Sequence, residues 1–349
     1  MPIPFLRRRL LPLWIAAACA LCVTDRLAAD LTWSPGTGWQ VEGGALEGLT
    51  GTKGTKALDL MNKARADEEA GSLHAAIRGY HKVASKYQGS IYAPEALYRA
   101  GKLLVKRKQL FDAFSDFQQV LRRYPNTKRF NDVIGEEYRI AAILLDGGRN
   151  WTWGWIPDFP NRTRGTEFME VIVLNAPYSD YAPLALMEAA RGNQLESNTE
   201  EAIDALDRLV NTYPQSVLAP VAYLKLGDLH ASLTEGPKYD QASTKEAMTY
   251  YEDFMILYPG DAGIAKAADG VDKMKTILAN SKIYIGDYYF YKRFNYEAAK
   301  IFYNEAITAY PDSAPARFAK KRLAELESRI VRHSIHPMIA PPKKRFFFF

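Results

Sequence analysis

The sequence predicts an all-α fold, a right-handed superhelix of about six stacked helix pairs followed by a closing helix. Three observations carry this expectation. One short phrase recurs: Tyr124-Pro125-Asn126-Thr127, Ala176-Pro177-Tyr178-Ser179, Tyr213-Pro214-Gln215-Ser216, Tyr258-Pro259-Gly260-Asp261 and Tyr310-Pro311-Asp312-Ser313, with Tyr87-Gln88-Gly89-Ser90 as a degenerate copy. The residues 12, 8 and 5 places before each Pro also recur, as Ala113, Phe117 and Val120, then Ala202, Leu206 and Leu209, then Ala247, Tyr251 and Phe254, then Ala299, Tyr303 and Ala306. Counting from Gln88 gives Ala76, Tyr80 and Val83, while the third copy, Gly165, Met169 and Ile172, fits less well. Finally, no segment alternates with period two for long enough to suggest a sheet.

Offsets of four and three place each triplet on one helix face. A small residue there lets the paired helix approach closely, the larger ones fill the space beyond, and Pro ends the helix. Successive Pro residues lie 52, 37, 45 and 52 apart. The shortest interval is just above the 34 of a tetratricopeptide repeat, and the longer ones require insertions. Preceding helices repeat as well. Tyr92-Ala93-Pro94 and Leu218-Ala219-Pro220 open two of them, and Gly101 and Gly227 sit at their close crossings. The pairs are expected at 56–87, 92–124, 128–176, 180–213, 217–258 and 261–310, with the closing helix at 313–331. Such pairs cannot bury their apolar faces alone, so stacking makes the core.

The ends differ from this body. Residues 1–29 join Arg7-Arg8-Arg9 to a 14-residue apolar stretch, Leu10 to Val23, and a small-residue ending, Ala28-Ala29. This is the layout of an export signal, too short for a comfortable membrane span. Cleavage after Ala29 would leave no Cys. A weak lipobox, Ala16-Ala17-Ala18-Cys19, offers the alternative of a lipidated Cys19. Residues 30–55 are Gly- and Thr-rich without helical period and read as an extended arm. Its Trp33 and Trp39 would either dock on a partner or pack on the first repeat. Residues 332–349, ending in Pro341-Pro342-Lys343-Lys344-Arg345 and four Phe, read as a disordered basic tail. The net charge of +5 comes from the ends, since 1–29 carries +3 and 329–349 carries +5, leaving −3 on the body. A nucleic-acid partner is therefore not expected.

Three departures from the plain repeat stand out. The third pair contains Asn150 to Asn161, an aromatic, Pro-broken loop. The fifth contains Thr234-Glu235-Gly236-Pro237-Lys238-Tyr239. The sixth opens with a helix of about 262–292, twice the usual length, whose end, Ile283 to Tyr291, is strongly aromatic and reads as core.

Lys273 to Ala279, Ile285-Gly286-Asp287-Tyr288-Tyr289, Ala298-Ala299 and Ile307 to Ser313 look like the long helix and last repeat of the BamD family, the outer-membrane β-barrel assembly lipoproteins. The resemblance covers about 56–328, and the loop at 151–160 falls where that family carries an insertion in its third repeat. This chain departs from the family in its weak lipobox and in six pairs where five are usual. The resemblance implies a periplasmic location at the inner face of the outer membrane, peripheral or lipid-anchored. It implies binding of unfolded outer-membrane proteins and of a membrane-embedded barrel-assembly partner. The alternative is a periplasmic repeat adaptor for cell-wall synthesis or envelope transport.

Chemistry is sparse. The sequence has no phosphate-binding glycine loop, no HExxH and no GxSxG. His74 and His81 share a helix face but lack a third ligand, so no metal, cofactor or catalytic residue is expected. Asp67-Glu68-Glu69 and Thr199-Glu200-Glu201 read as solvated charges at helix ends. The candidate partner-binding residues are Trp151, Trp153 and Trp155, because exposed Trp is enriched at binding hot spots. They stand as an anchor at the rim of a groove lined by Tyr and Leu, or else pack back into it.

Overall fold

The computed structural model describes residues 30–42 and 52–335. The expected export signal with Cys19, and most of the expected tail, lie outside the described residues. Among these, twelve helices pair in sequence order and a thirteenth closes the array. They are α1 (Thr52–Glu69) with α2 (Leu73–Lys86), α3 (Tyr92–Lys106) with α4 (Leu110–Arg123), α5 (Phe130–Leu145) with α6 (Arg162–Asn175), and α7 (Tyr181–Leu195) with α8 (Thr199–Thr212). Then come α9 (Ala219–Ser232) with α10 (Ala242–Leu257), α11 (Ile264–Tyr288) with α12 (Tyr296–Ala309), and the closing helix α13 (Ala314–Ile335). The fold is all-α, of tetratricopeptide type. It divides into two compact units, residues 1–185 and 186–349, with the division inside α7.

The recurring phrase is a turn. The amide of its fourth residue donates to the carbonyl of its first: Ser90 to Tyr87 at 2.9 Å, Thr127 to Tyr124 at 3.0 Å, Ser179 to Ala176 at 3.1 Å, Ser216 to Tyr213 at 2.9 Å, Asp261 to Tyr258 at 3.1 Å and Ser313 to Tyr310 at 3.2 Å. Pro at the second place fixes the φ such a turn needs, and the small polar fourth residue suits its exit. The Ser hydroxyls of 90, 179 and 313 donate to the same carbonyls. Within the pairs, the chain leaves the first helix through a left-handed residue, as at Gly71, Lys108, Gly147, Ser197 and Phe294. This conformation ends a helix sharply, and Gly meets it without steric cost.

The core lies where the offsets place it. Ala76, Ala113, Ala202, Ala247 and Ala299 are all fully buried, as are Val83, Val120, Ile172, Leu209, Phe254 and Ala306. The third copy obeys the same rule in its own way. A Cβ on Gly165 would stand 2.8 Å from the Leu145 amide nitrogen and 3.0 Å from the Ala141 carbonyl, so α5 and α6 cross closer than Ala would allow. At these contacts an added side chain has nowhere to go. Ala202→Leu is expected to cost about 1–3 kcal/mol by overpacking, read as a lower denaturation midpoint. An unchanged midpoint would mean that Ala202 is not at a crossing.

A second rule was not read from the sequence. The aromatic residue at −8 packs tightly against a Gly of its partner helix. A Cβ would approach Phe117 to 2.6 Å from Gly101, Tyr251 to 2.5 Å from Gly227, and Tyr303 to 2.7 Å from Gly286. Where the aromatic is Tyr, an Asp follows the Gly and takes the hydroxyl: Tyr251 to Asp228 at 2.8 Å and Tyr303 to Asp287 at 2.6 Å. Tyr80 donates likewise to Glu68 at 2.7 Å, so Glu68 is a packing partner and not a solvated charge.

The structure corrects the expectation of no strand and of an extended arm. Residues Asp30–Ser34 (β1) and Gly38–Glu42 (β2) form an antiparallel hairpin, with Trp33 opposite Trp39. Trp39 is buried, its amide donates to Asn62 at 2.9 Å, and Arg65 covers Trp33, so both Trp pack on the first pair. A two-stranded hairpin is marginal alone; α1 supplies the face that holds this one. The second hairpin, β3 (Trp151–Thr152) and β4 (Ile156–Pro157), lies in the third-pair loop. The long helix ends in a π-helical turn, Tyr289–Arg293, and its aromatic end is divided. Phe290 is buried and Tyr289 stacks on Phe302 at 5.5 Å, while Tyr284 and Tyr288 are exposed. The last helix continues to Ile335, past the expected end at 331.

Candidate partner-binding site

The three candidate Trp residues form a built hairpin, not a loose loop. Asn150 and Asp158 close its base. The Asn150 amide donates to Asp158 at 2.6 Å, the Thr152 hydroxyl donates to Asp158 at 2.7 Å, and the Asp158 amide returns to the Asn150 carbonyl at 2.8 Å. These two side-chain donors hold the Asp158 carboxyl below the usual carboxylate range. Asn150 also accepts the Phe111 amide at 3.2 Å, and the Trp151 amide donates to the Lys108 carbonyl at 2.9 Å. The hairpin is thus fastened to the turn between α3 and α4, and Lys108 covers the half-buried Trp151 ring at 4.8 Å.

The tip is strained and fixed. Trp153 takes φ of +56°, and Gly154 follows at +77°. A left-handed Trp costs of order 1 kcal/mol and persists only when its surroundings over-determine it. Arg107 does this, donating to the Trp153 carbonyl at 2.7 Å. It passes so close that a Cβ on Gly154 would stand 2.8 Å from its guanidinium. The result is two large rings held outward. Trp153 is 65% exposed and Trp155 67%, stacked with centroids 6.2 Å apart, and Phe159 beyond them is 91% exposed. The residues that fix the tip, Arg107, Lys108, Asn150 and Asp158, were not singled out from the sequence. The Asn and Asp eight apart around the Trp run were the available sign.

Trp153 borders a cavity of about 360 Å³ between α2 and α4. Its lining mixes Ile77, Leu104 and Trp153 with His74, Arg78, His81, Arg107, Asp112 and Asp116, where Tyr and Leu were expected. His81 Nε2 meets Asp116 at 2.6 Å; this contact raises the imidazole pKa, while burial raises that of the Asp116 carboxyl. Among the described residues no group of three or more His, Cys, Asp or Glu is placed to hold a metal. Among the same residues, no helix is long and apolar enough to cross a membrane.

Residues 164–333 match the family model described as an outer membrane lipoprotein, YfiO, and residues 95–127 match a tetratricopeptide-repeat model. The outer membrane protein assembly factor BamD of Caulobacter vibrioides is 22% identical over 152 residues, 44% of this chain. The match spans about half of that relative, 46%. A tetratricopeptide-repeat protein of Bacteroides fragilis is 14% identical, over 78% of this chain and 98% of its own, with a TM-score of 0.36. One of Parabacteroides merdae is 14% identical over 78% and 99%, with a TM-score of 0.31. The match to the lipoprotein family begins at Arg164, past the Trp hairpin. Over residues 164–333 the chain is similar to the outer-membrane lipoproteins of the BamD family, and it carries a tetratricopeptide-repeat match at residues 95–127.

Proposed function

We propose that the protein is a non-enzymatic scaffold of outer-membrane β-barrel assembly, working in the periplasm at the inner face of the outer membrane. In this reading the first unit takes up segments of unfolded outer-membrane proteins, with Trp153 and Trp155 as anchors. The long aromatic helix α11 of the second unit meets a membrane-embedded partner, and Cys19, where retained, supplies a lipid anchor. The family likeness supports the setting. The observation that carries the role is the Trp hairpin, two stacked rings kept in water by a strained backbone that Arg107 and Asp158 fix in place. Exposed apolar surface of this kind marks an interaction site. A rigid aromatic anchor also loses little entropy on binding, so its contact area converts well into affinity.

Trp151 is half-buried against Lys108, so its loss would loosen the hairpin itself; Trp153 and Trp155 can be removed alone. The double variant Trp153→Ala/Trp155→Ala should weaken binding of a fluorescent unfolded outer-membrane protein segment by about 2–3 kcal/mol, as for hot-spot residues, with unchanged circular dichroism. Unchanged affinity with unchanged folding would remove the hairpin as the client anchor.

A further inference from the structure

The second helices of the second and third pairs, α4 and α6, line another cavity, of about 470 Å³, which shares Ser115 with the first. Its floor is aromatic. Phe114 and Phe168 stack with centroids 3.6 Å apart and planes 3° from parallel, and Phe111 meets Phe168 edge-on at 6.1 Å. Its rim is cationic. Arg122 and Arg123 stand in the last turn of α4, and Arg164 lies over Phe111 at 5.8 Å and Phe168 at 5.7 Å.

No carboxylate lines this groove. The acids near it are engaged elsewhere. Glu167 pairs with Arg164 at 2.7 Å, but both side chains are half-exposed neighbours on one helix, a contact of little worth. Asp112 accepts from Gln109, and Asp116 is held by His81. Arg122 donates to the Gln118 amide oxygen at 3.4 Å, and its charge also acts on Glu137.

Helix electrostatics account for part of this and not the rest. Arg122 and Arg123 suit a helix C-terminus, but Arg164 stands in the first turn of α6, where the macrodipole opposes a cation. Its place is explained by what it faces. Three guanidiniums beside a stacked aromatic pair match a ligand that brings carboxylates and an aromatic ring together. Guanidinium forks bind carboxylates in pairs, and rings stack on rings.

We propose that this groove binds an acidic segment of a partner protein, with one aromatic side chain packed against the partly exposed Phe111 and Phe168 and flanking carboxylates taken by Arg122, Arg123 and Arg164. The site is separate from the Trp hairpin and does not depend on the outer-membrane reading.

The test is a titration of the full chain with a labelled nonapeptide of Asp and Glu around one central Phe. The acidic peptide should bind, more weakly as salt rises, and a version with Lys for its acids should not. Arg122→Gln/Arg164→Gln should lower the affinity at least about tenfold with unchanged helical content, while Trp153→Ala/Trp155→Ala should leave it unchanged. Equal binding of acidic and basic peptides, or no loss in the Arg variant, would overturn the proposal. So would competition at equal strength by inorganic phosphate or phosphatidylglycerol vesicles, which would assign the groove to a free anion or to lipid headgroups. Loss of acidic-peptide binding in the Trp variant would merge the two sites and overturn it as well.

Discussion

Gly227→Ala should destabilise the second unit by about 1–3 kcal/mol, the range of overpacked cores, although the substitution favours an isolated helix by about 1 kcal/mol. The sign follows from Tyr251. Its ring is wedged between two glycines, Gly227 on α9 and Gly270 on α11, and a Cβ on either would approach ring carbons to 2.5 Å. The ring cannot slide away, because it is 4% exposed and its hydroxyl is fixed on Asp228 at 2.8 Å. It sits among Ala247, Phe254, Ala267, Val271 and Met274. Gly270→Ala should cost a similar amount for the same reason. Tyr251→Leu in the Gly227→Ala background should recover part of the loss, a coupling that a double-mutant cycle in urea would measure. A rise in midpoint for Gly227→Ala would show that helix propensity outweighs this packing.

Stability should fall as pH rises from about 5 to 8, and Glu137→Gln should remove the part of that fall that Glu137 carries. Glu137 on α5 is fully buried. One oxygen accepts the Gln118 amide at 2.8 Å and the other has no partner among the described groups. Burial pushes the carboxyl up to about 8, and the Gln118 bond and the Arg122 charge offset this only in part. An unfolded Glu ionises near its ordinary value of about 4.3. Between these values the folded state holds a proton that the unfolded state has released. Stability is therefore greatest below the unfolded value and declines through the window by at most about 1.4 kcal/mol per pH unit. Glutamine has the same shape, keeps the Gln118 contact and cannot ionise. The variant should match the parent near pH 4 and exceed it at pH 8 to 9, measured as urea midpoints. Parallel profiles for the two proteins would show that Glu137 is hydrated and ionised in the folded state.

The repeat was legible because its information is local. Pro125, Pro214, Pro259 and Pro311 each restrict one φ and close one turn, and the residues at −12, −8 and −5 share a face by helical period alone. Helix order, pair limits and the buried alanines follow from that arithmetic. Even the poor third copy kept its register, since Gly165 serves where Ala usually stands. The likeness of the C-terminal half to a lipoprotein family was legible on the same grounds, in the run from Lys273 to Ser313. What required the tertiary structure was everything set by neighbours distant in sequence. That Tyr251 lies between Gly227 and Gly270 depends on three helices meeting. That Glu68 holds Tyr80 depends on the crossing of α1 and α2. The arm became a hairpin because α1 offered Asn62 and Arg65 to it, and a two-stranded ribbon has too little face of its own to announce itself. The Trp run was visible as composition, but its exposure was not. A loop's side chains point outward or inward according to what lies beneath them, and here Arg107 and Lys108, more than forty residues earlier, hold the backbone so that two indoles face water.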